Sequence, residues 1–105
     1  MLLSTTSTIE GHTITSYLGL VYGETINGIN FMKDIGAGFR NFVGGRSAGY
    51  ESELLEARNT CMDEMIRRAQ DLGADGIVGI NINVEALGQG NMILVNVVGT
   101  AVRFS

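Results

Sequence analysis

Proline and tryptophan are absent from this 105-residue sequence, and cysteine and histidine occur once each. A single thiol, Cys61, cannot close an internal disulfide, so the fold must stand on packing, and a reducing cytoplasmic location is the economical expectation. One Cys and one His, far apart in the chain, do not form the paired soft-ligand spacings from which zinc sites are built. The same shortage removes a Ser–His–Asp or Cys–His set unless His12 serves it, and no serine stands in a G-x-S-x-G elbow. Basic residues are few as well. Seven Lys and Arg face eleven Asp and Glu, a net charge of −4, which argues against nucleic acid and anionic membranes as partners. The longest purely apolar run, Met92-Ile93-Leu94-Val95, falls far short of the roughly 20 residues of a membrane-crossing helix. Met1-Leu2-Leu3 passes directly into Ser4-Thr5-Thr6-Ser7-Thr8, without the basic start and apolar stretch of a secretory signal.

Hydrophobic residues make up 45% and charged residues only 17%, so the chain has the composition of a folded domain, not a disordered one. Its length suits one domain over residues 1–105. The fifteen glycines are spread throughout, with no linker block and no fixed repeat.

Residues 12–26 are rich in Thr, Ile, Val and Tyr, and Ile14, Leu18, Leu20, Tyr22 and Ile26 share one parity, which predicts a half-buried strand. Gly19 and Gly23 within it signal a bulge or a close backbone approach. Met32, Ile35, Phe39 and Phe42 recur at helical steps between Phe31 and Val43, predicting a short helix that starts after Asn30 and stops at Gly44. From Tyr50 to Leu72 the stripe Leu54, Cys61, Met65, Ala69 and Leu72, widened by Leu55, Met62 and Ile66, predicts a long amphipathic helix. Glutamates at its start, Arg67 and Arg68 at its end, and the i,i+4 pairs Asp63–Arg67 and Glu64–Arg68 support it, with Gly73 as the stop.

Beyond Gly76, Val78, Ile80, Ile82, Val84 and Ala86 alternate with Gly79, Asn81, Asn83 and Glu85, the pattern of a strand with one apolar face. Gly88–Asn91 forms a hairpin loop to a last strand, Met92–Phe104. That strand is apolar on both faces, Leu94, Val98, Val102 and Phe104 on one and Ile93, Val95, Val97 and Ala101 on the other. Both must therefore be covered. Two helices cover one face of a three-strand sheet; the other, to which Val97 is assigned, requires a second copy of the chain. The expected architecture is α+β: a mostly antiparallel three-strand sheet on one long helix and a shorter preceding one, in a homo-oligomer.

Ser4-Thr5-Thr6, Gly23-Glu24 with Gly28 and Asn30, Asp34, Arg40, Gly44-Gly45-Arg46-Ser47, Tyr50-Glu51, Gly73-Ala74-Asp75 and Gly99-Thr100-Ala101-Val102 occur in order along nearly the whole chain. In this ordered set the sequence resembles the YbjQ-like family, small bacterial proteins that carry a heavy-metal-binding label. The resemblance implies a dodecin-like βαββ subunit in a ring-shaped homopentamer; it implies no assigned activity. Many relatives carry acidic residues on the polar face of the penultimate strand, where this chain has Asn81 and Asn83 and keeps only Glu85.

Three groups of residues are candidates for chemistry. Asn81, Asn83 and Glu85 project from one strand face at about 7 Å intervals, and with His12 they are the metal candidates, although no ligand spacing supports a divalent metal. Gly44, Gly45, Arg46 and Ser47 precede the long helix, where free N–H groups and an arginine suit a phosphate or carboxylate, without the P-loop spacing. Glu24, Asp34, Arg40, Tyr50 and Glu51 are candidates for a cleft between subunits. No catalytic residue is assigned. The expectation is a binding protein for a metal or small anion at a subunit interface, against the alternatives of a structural ring and, less favoured, an enzyme using Glu24, Asp34, Arg40 or Arg46.

Overall fold

The computed structural model describes residues 1–27, 48–87 and 92–105. Strands β1 (Leu2–Leu3) and β2 (Ile14–Asn27) are followed by helix α1 (Ala48–Asp71) and strands β3 (Gly76–Leu87) and β4 (Met92–Phe104). The sheet has four strands in the order β1-β3-β4-β2. Both long neighbours of β4 run antiparallel to it, while β1 pairs in parallel with β3 at Gly76 and Ile77. The expected three-strand sheet thus gains a fourth strand, too short at two residues to register as a periodic pattern. The predicted helix at 31–43, the 44–47 segment and the 88–91 loop lie outside the described residues.

Helix α1 spans the predicted segment within about two residues at each end. It ends as its sequence requires: Gly73 takes φ +78°, its N–H donates to Gln70 O and the Ala74 N–H reaches Ala69 O, the paired bonds of a Schellman stop. Cys61, Met65 and Ala69 are fully buried, and Ala57 is nearly so, whereas Leu55 and Leu72 at the stripe's margins are exposed.

The helix lies across β2 and β4, and this placement decides which sheet face becomes core. On the helix side of β4 the buried residues are Ile93, Val95, Val97, Gly99 and Ala101, of which Val95, Val97 and Gly99 pair with Thr25, Gly23 and Val21 of β2. Val97 is therefore beneath the helix, not on the uncovered face, a reversal of the sequence expectation. A strand apolar on both sides does not say which side its own helix takes; the deciding feature is Gly23. A Cβ on Gly23 would stand 2.0 Å from the Cys61 carbonyl oxygen, so only the hydrogen of a glycine lets α1 approach β2 there.

The predicted parities of the other strands shift for a related reason. In β2, irregularities between Ile14 and Ser16 and between Tyr17 and Gly19 change the register. Leu18 then packs against the core, while Leu20, Tyr22 and Ile26 stand on the far face, 72%, 44% and 54% exposed. In β3, Gly79 at φ +63° makes a bulge between Val78 and Asn81. Ile77 and Ile80 both enter the core, and Val78 turns to the far face opposite Thr100, which breaks the expected uniform alternation.

Candidate functional site

The far face of the sheet carries the most distinctive surface among the described residues. Pairing aligns residues across β3, β4 and β2 in rows: Asn81–Val98–Tyr22, Asn83–Asn96–Glu24 and Glu85–Leu94–Ile26. With strands about 4.8 Å apart, each row crosses roughly 10 Å. The middle row is entirely polar, one carboxylate and two amides, between rows containing Tyr22, Val98, Leu94 and Ile26. Beyond it toward the other end stand Leu20 and Tyr17, which is 70% exposed. Around the polar row this face is exposed, whereas at its other end Val78 and Val102 are buried.

Of the metal candidates, Asn83 joins Glu24 in that row, and Asn81 and Glu85 flank it. His12 does not. It stands before β2 with its ring against Phe104, centroids 5.0 Å apart, at the end of the strand opposite Glu24. Of the cleft candidates, Glu24 is in the row, and Tyr50 and Glu51 fall in the first turn of α1. Asp34, Arg40 and the anion candidates Gly44, Gly45, Arg46 and Ser47 lie outside the described residues. Sequence reasoning missed Asn96. Its signal was present, a lone amide in the otherwise apolar run Ile93–Val98.

Cys61 is buried, and its thiol donates to the Val95 carbonyl at 3.3 Å. Burial, followed by the negative charges of Glu64 and Glu24, pushes this thiol above its ordinary value, which disfavours the thiolate that a soft metal would need. Among the described residues no three His, Cys, Asp or Glu gather into a metal-holding group. The donor set therefore does not fit a soft heavy metal; its exposed oxygens are those a hard cation takes.

One further arrangement lies at the outer edge of β2. Arg68 Nη1 donates to the Tyr22 carbonyl at 2.6 Å and to Glu64 Oε1 at 2.5 Å, and its guanidinium sits over the Tyr22 ring, 4.2 Å from the centroid. The Glu64 carboxylate also lies beside the Glu24 backbone N–H, which favours its charged form. The Arg68 hydrogen bond, ahead of that backbone contribution, holds the Glu64 carboxyl below its usual value.

These features define a class: a small α+β chain with a long helix on one face of a four-strand sheet and, on the other, a mixed apolar and polar surface exposed around the polar row. The whole chain, residues 1–105, matches the sequence model of the YbjQ family, described as "putative heavy-metal-binding", and the protein belongs to that family. It is 57% identical over 104 residues to a UPF0145 protein of Corynebacterium jeikeium, covering 99% of each chain. It is 52% identical over 103 residues to a UPF0145 protein of Listeria ivanovii, covering 97% of this chain and 94% of the relative. In fold it is similar to a crystal structure of a protein of unknown function of the DUF74 family from Pediococcus pentosaceus. The TM-score there is 0.63 at 18% identity, over 100% of this chain and 98% of the other. No helix among the described residues is long and apolar enough to cross a membrane.

Proposed function

We propose that this protein is a cytoplasmic homo-oligomeric binding protein, a pentameric ring as the family resemblance implies, that holds a small ligand where its open sheet face meets a neighbouring subunit. The observation that carries this reading is the Glu24–Asn96–Asn83 row. Exposed Tyr17, Leu20, Tyr22 and Ile26 favour covering that face, and a carboxylate drawn into an interface must be paired. Oxygens contributed by more than one subunit would pair it with a hard divalent cation. A small anion would instead call on Gly44–Ser47. The second reading, an interaction ring without small-molecule chemistry, is favoured by the amides themselves. Asn83 and Asn96 each carry donors and acceptors and could satisfy Glu24 directly.

Native mass spectrometry of protein purified without added metal or chelator tests the oligomer and retained ligands together. Thermal unfolding with magnesium, calcium, manganese or zinc chloride then tests the cation. The expected result is a closed oligomer stabilised by about 2.7 kcal/mol at a hundredfold excess over Kd, an effect lost in Glu24→Gln. A monomer at micromolar concentration would overturn the assembly. A closed oligomer that none of these cations moves would leave the interaction ring.

A further inference from the structure

The two long outer strands finish their edges differently. Strand alternation turns the backbone groups of Val21, Gly23 and Thr25 toward β4 and those of Tyr22 and Glu24 outward, where Arg68 takes the Tyr22 carbonyl and the Glu64 carboxylate, held by Arg68, stands beside the Glu24 N–H. These two outward groups flank Gly23, and one residue of an added parallel strand would use the same two. Its N–H would donate to the Tyr22 carbonyl, and its carbonyl would accept from the Glu24 N–H. The Glu64–Arg68 pair therefore stands in the place of one residue of a parallel strand, with Arg68 taking the carbonyl that residue would use. The edge of β3 is closed only at its start, by β1 and by Ser4 and Thr6, which bond to Ile77, Gly79 and Ile80. From Asn81 to Ala86 every residue of β3 is exposed, and among the described residues no backbone group bonds to its outer side.

Direction completes the argument. Because β2 and β3 both run antiparallel to β4, they run parallel to each other. A second copy placed to continue the sheet would bring its β3 alongside β2 in parallel, the orientation that Glu64 and Arg68 imitate. Addition of this head-to-tail kind grows without limit unless its rotation closes a ring, and charged side chains at strand edges are a known means of preventing it.

We propose that Glu64 and Arg68 form an edge guard, a side-chain stand-in for a neighbouring strand that stops β3 of a second copy from adding to β2 at Tyr22–Glu24. The guard is independent of the ligand reading and of the number of subunits in any closed assembly.

The test compares wild type with Arg68→Ala and Glu64→Ala/Arg68→Ala by light scattering, thioflavin T fluorescence and electron microscopy, with far-ultraviolet circular dichroism as the check on folding. Wild type and Arg68→Lys should keep a finite size, while the guard-less variants should grow with time and concentration to at least about tenfold higher scattering mass. Adding Val84→Pro to Arg68→Ala should restore the finite size. The Val84 N–H points outward, since Asn83 and Glu85 bond to β4, so the proline spares the intrachain ladder. Should Arg68→Ala lose its fold, Glu64→Gln carries the same test, keeping an acceptor oxygen but not the charge that holds Arg68. A folded variant whose Glu24 amide exchanges faster than in wild type, yet whose size is unchanged, would overturn the proposal. Growth that Val84→Pro fails to reverse would overturn it too, because it would then run through another surface.

Discussion

Gly23 is the residue on which the packing of α1 depends. With the Cys61 carbonyl at 2.0 Å from any Cβ built there, neither backbone can yield without moving helix from sheet. Gly23→Ala is expected to cost about 1–3 kcal/mol, the range for overpacking a close-packed site, read as a lower urea midpoint at unchanged m-value. Cys61 beside it is a core residue in chemistry as well as position. Its thiol should resist alkylation in the native protein and react only in denaturant, since burial and nearby carboxylates keep it protonated. Glu64 makes stability depend on acid. Its folded-state carboxyl lies below the ordinary value because Arg68 and the Glu24 N–H favour the charged form. That contribution is present above the unfolded carboxyl's range and is lost as pH falls through the lowered folded value. Unfolding midpoints measured between about pH 6 and pH 3 should therefore fall less steeply in Glu64→Gln than in wild type.

At the scale of elements, α1 assigns the two faces of β4 opposite fates. Val97 is fully buried beneath it, so Val97→Glu should unfold the chain, with loss of helical circular dichroism, by stranding a charge in the core. Leu20, 72% exposed on the far face, should behave in the opposite way. Leu20→Glu is expected to keep its secondary structure and thermal transition as a subunit while lowering the assembled mass seen in native mass spectrometry. The contrast between the two variants separates folding from association. It also reverses what periodicity suggested for Val97, because a strand apolar on both sides carries no mark of which side its own helix takes. The bulge at Gly79 and the irregularity at Ile14–Ser16 escape notice for a similar reason, whereas Gly19 marks in the sequence the shift beside it. Each adds one residue to a strand, and a reading of parity beyond that point is inverted.

At the scale of the molecule, the chain pairs one face covered by its helix with one exposed around its polar row. Apolar side chains at Tyr17, Leu20, Tyr22 and Ile26 surround the polar row Glu24–Asn96–Asn83, and the Glu64–Arg68 pair closes the adjoining edge. Association through the face with the edge closed would favour assemblies of defined size over strand-by-strand growth. Part of the row was legible beforehand, since Asn83 and Glu24 both drew notice, though for separate reasons. Their convergence depends on register across three strands, and no local pattern in β2 or β3 encodes the partner that β4 supplies.

The sequence by itself determined the long helix and the three long strands of this protein. The 3.6-residue stripe from Leu54 to Ala69 and the stop at Gly73 specify the helix, and β-branched runs bounded by glycines specify the three long strands, because these signals are local. Its ordered motifs also determined the family. Tertiary structure alone decided which face of the sheet became core, that Glu24, Asn96 and Asn83 stand in one row, and that Glu64 and Arg68 meet the edge of β2. Those outcomes rest on contacts between segments distant in sequence, set by one close approach at Gly23 and by bulges that turn side chains from one face to the other.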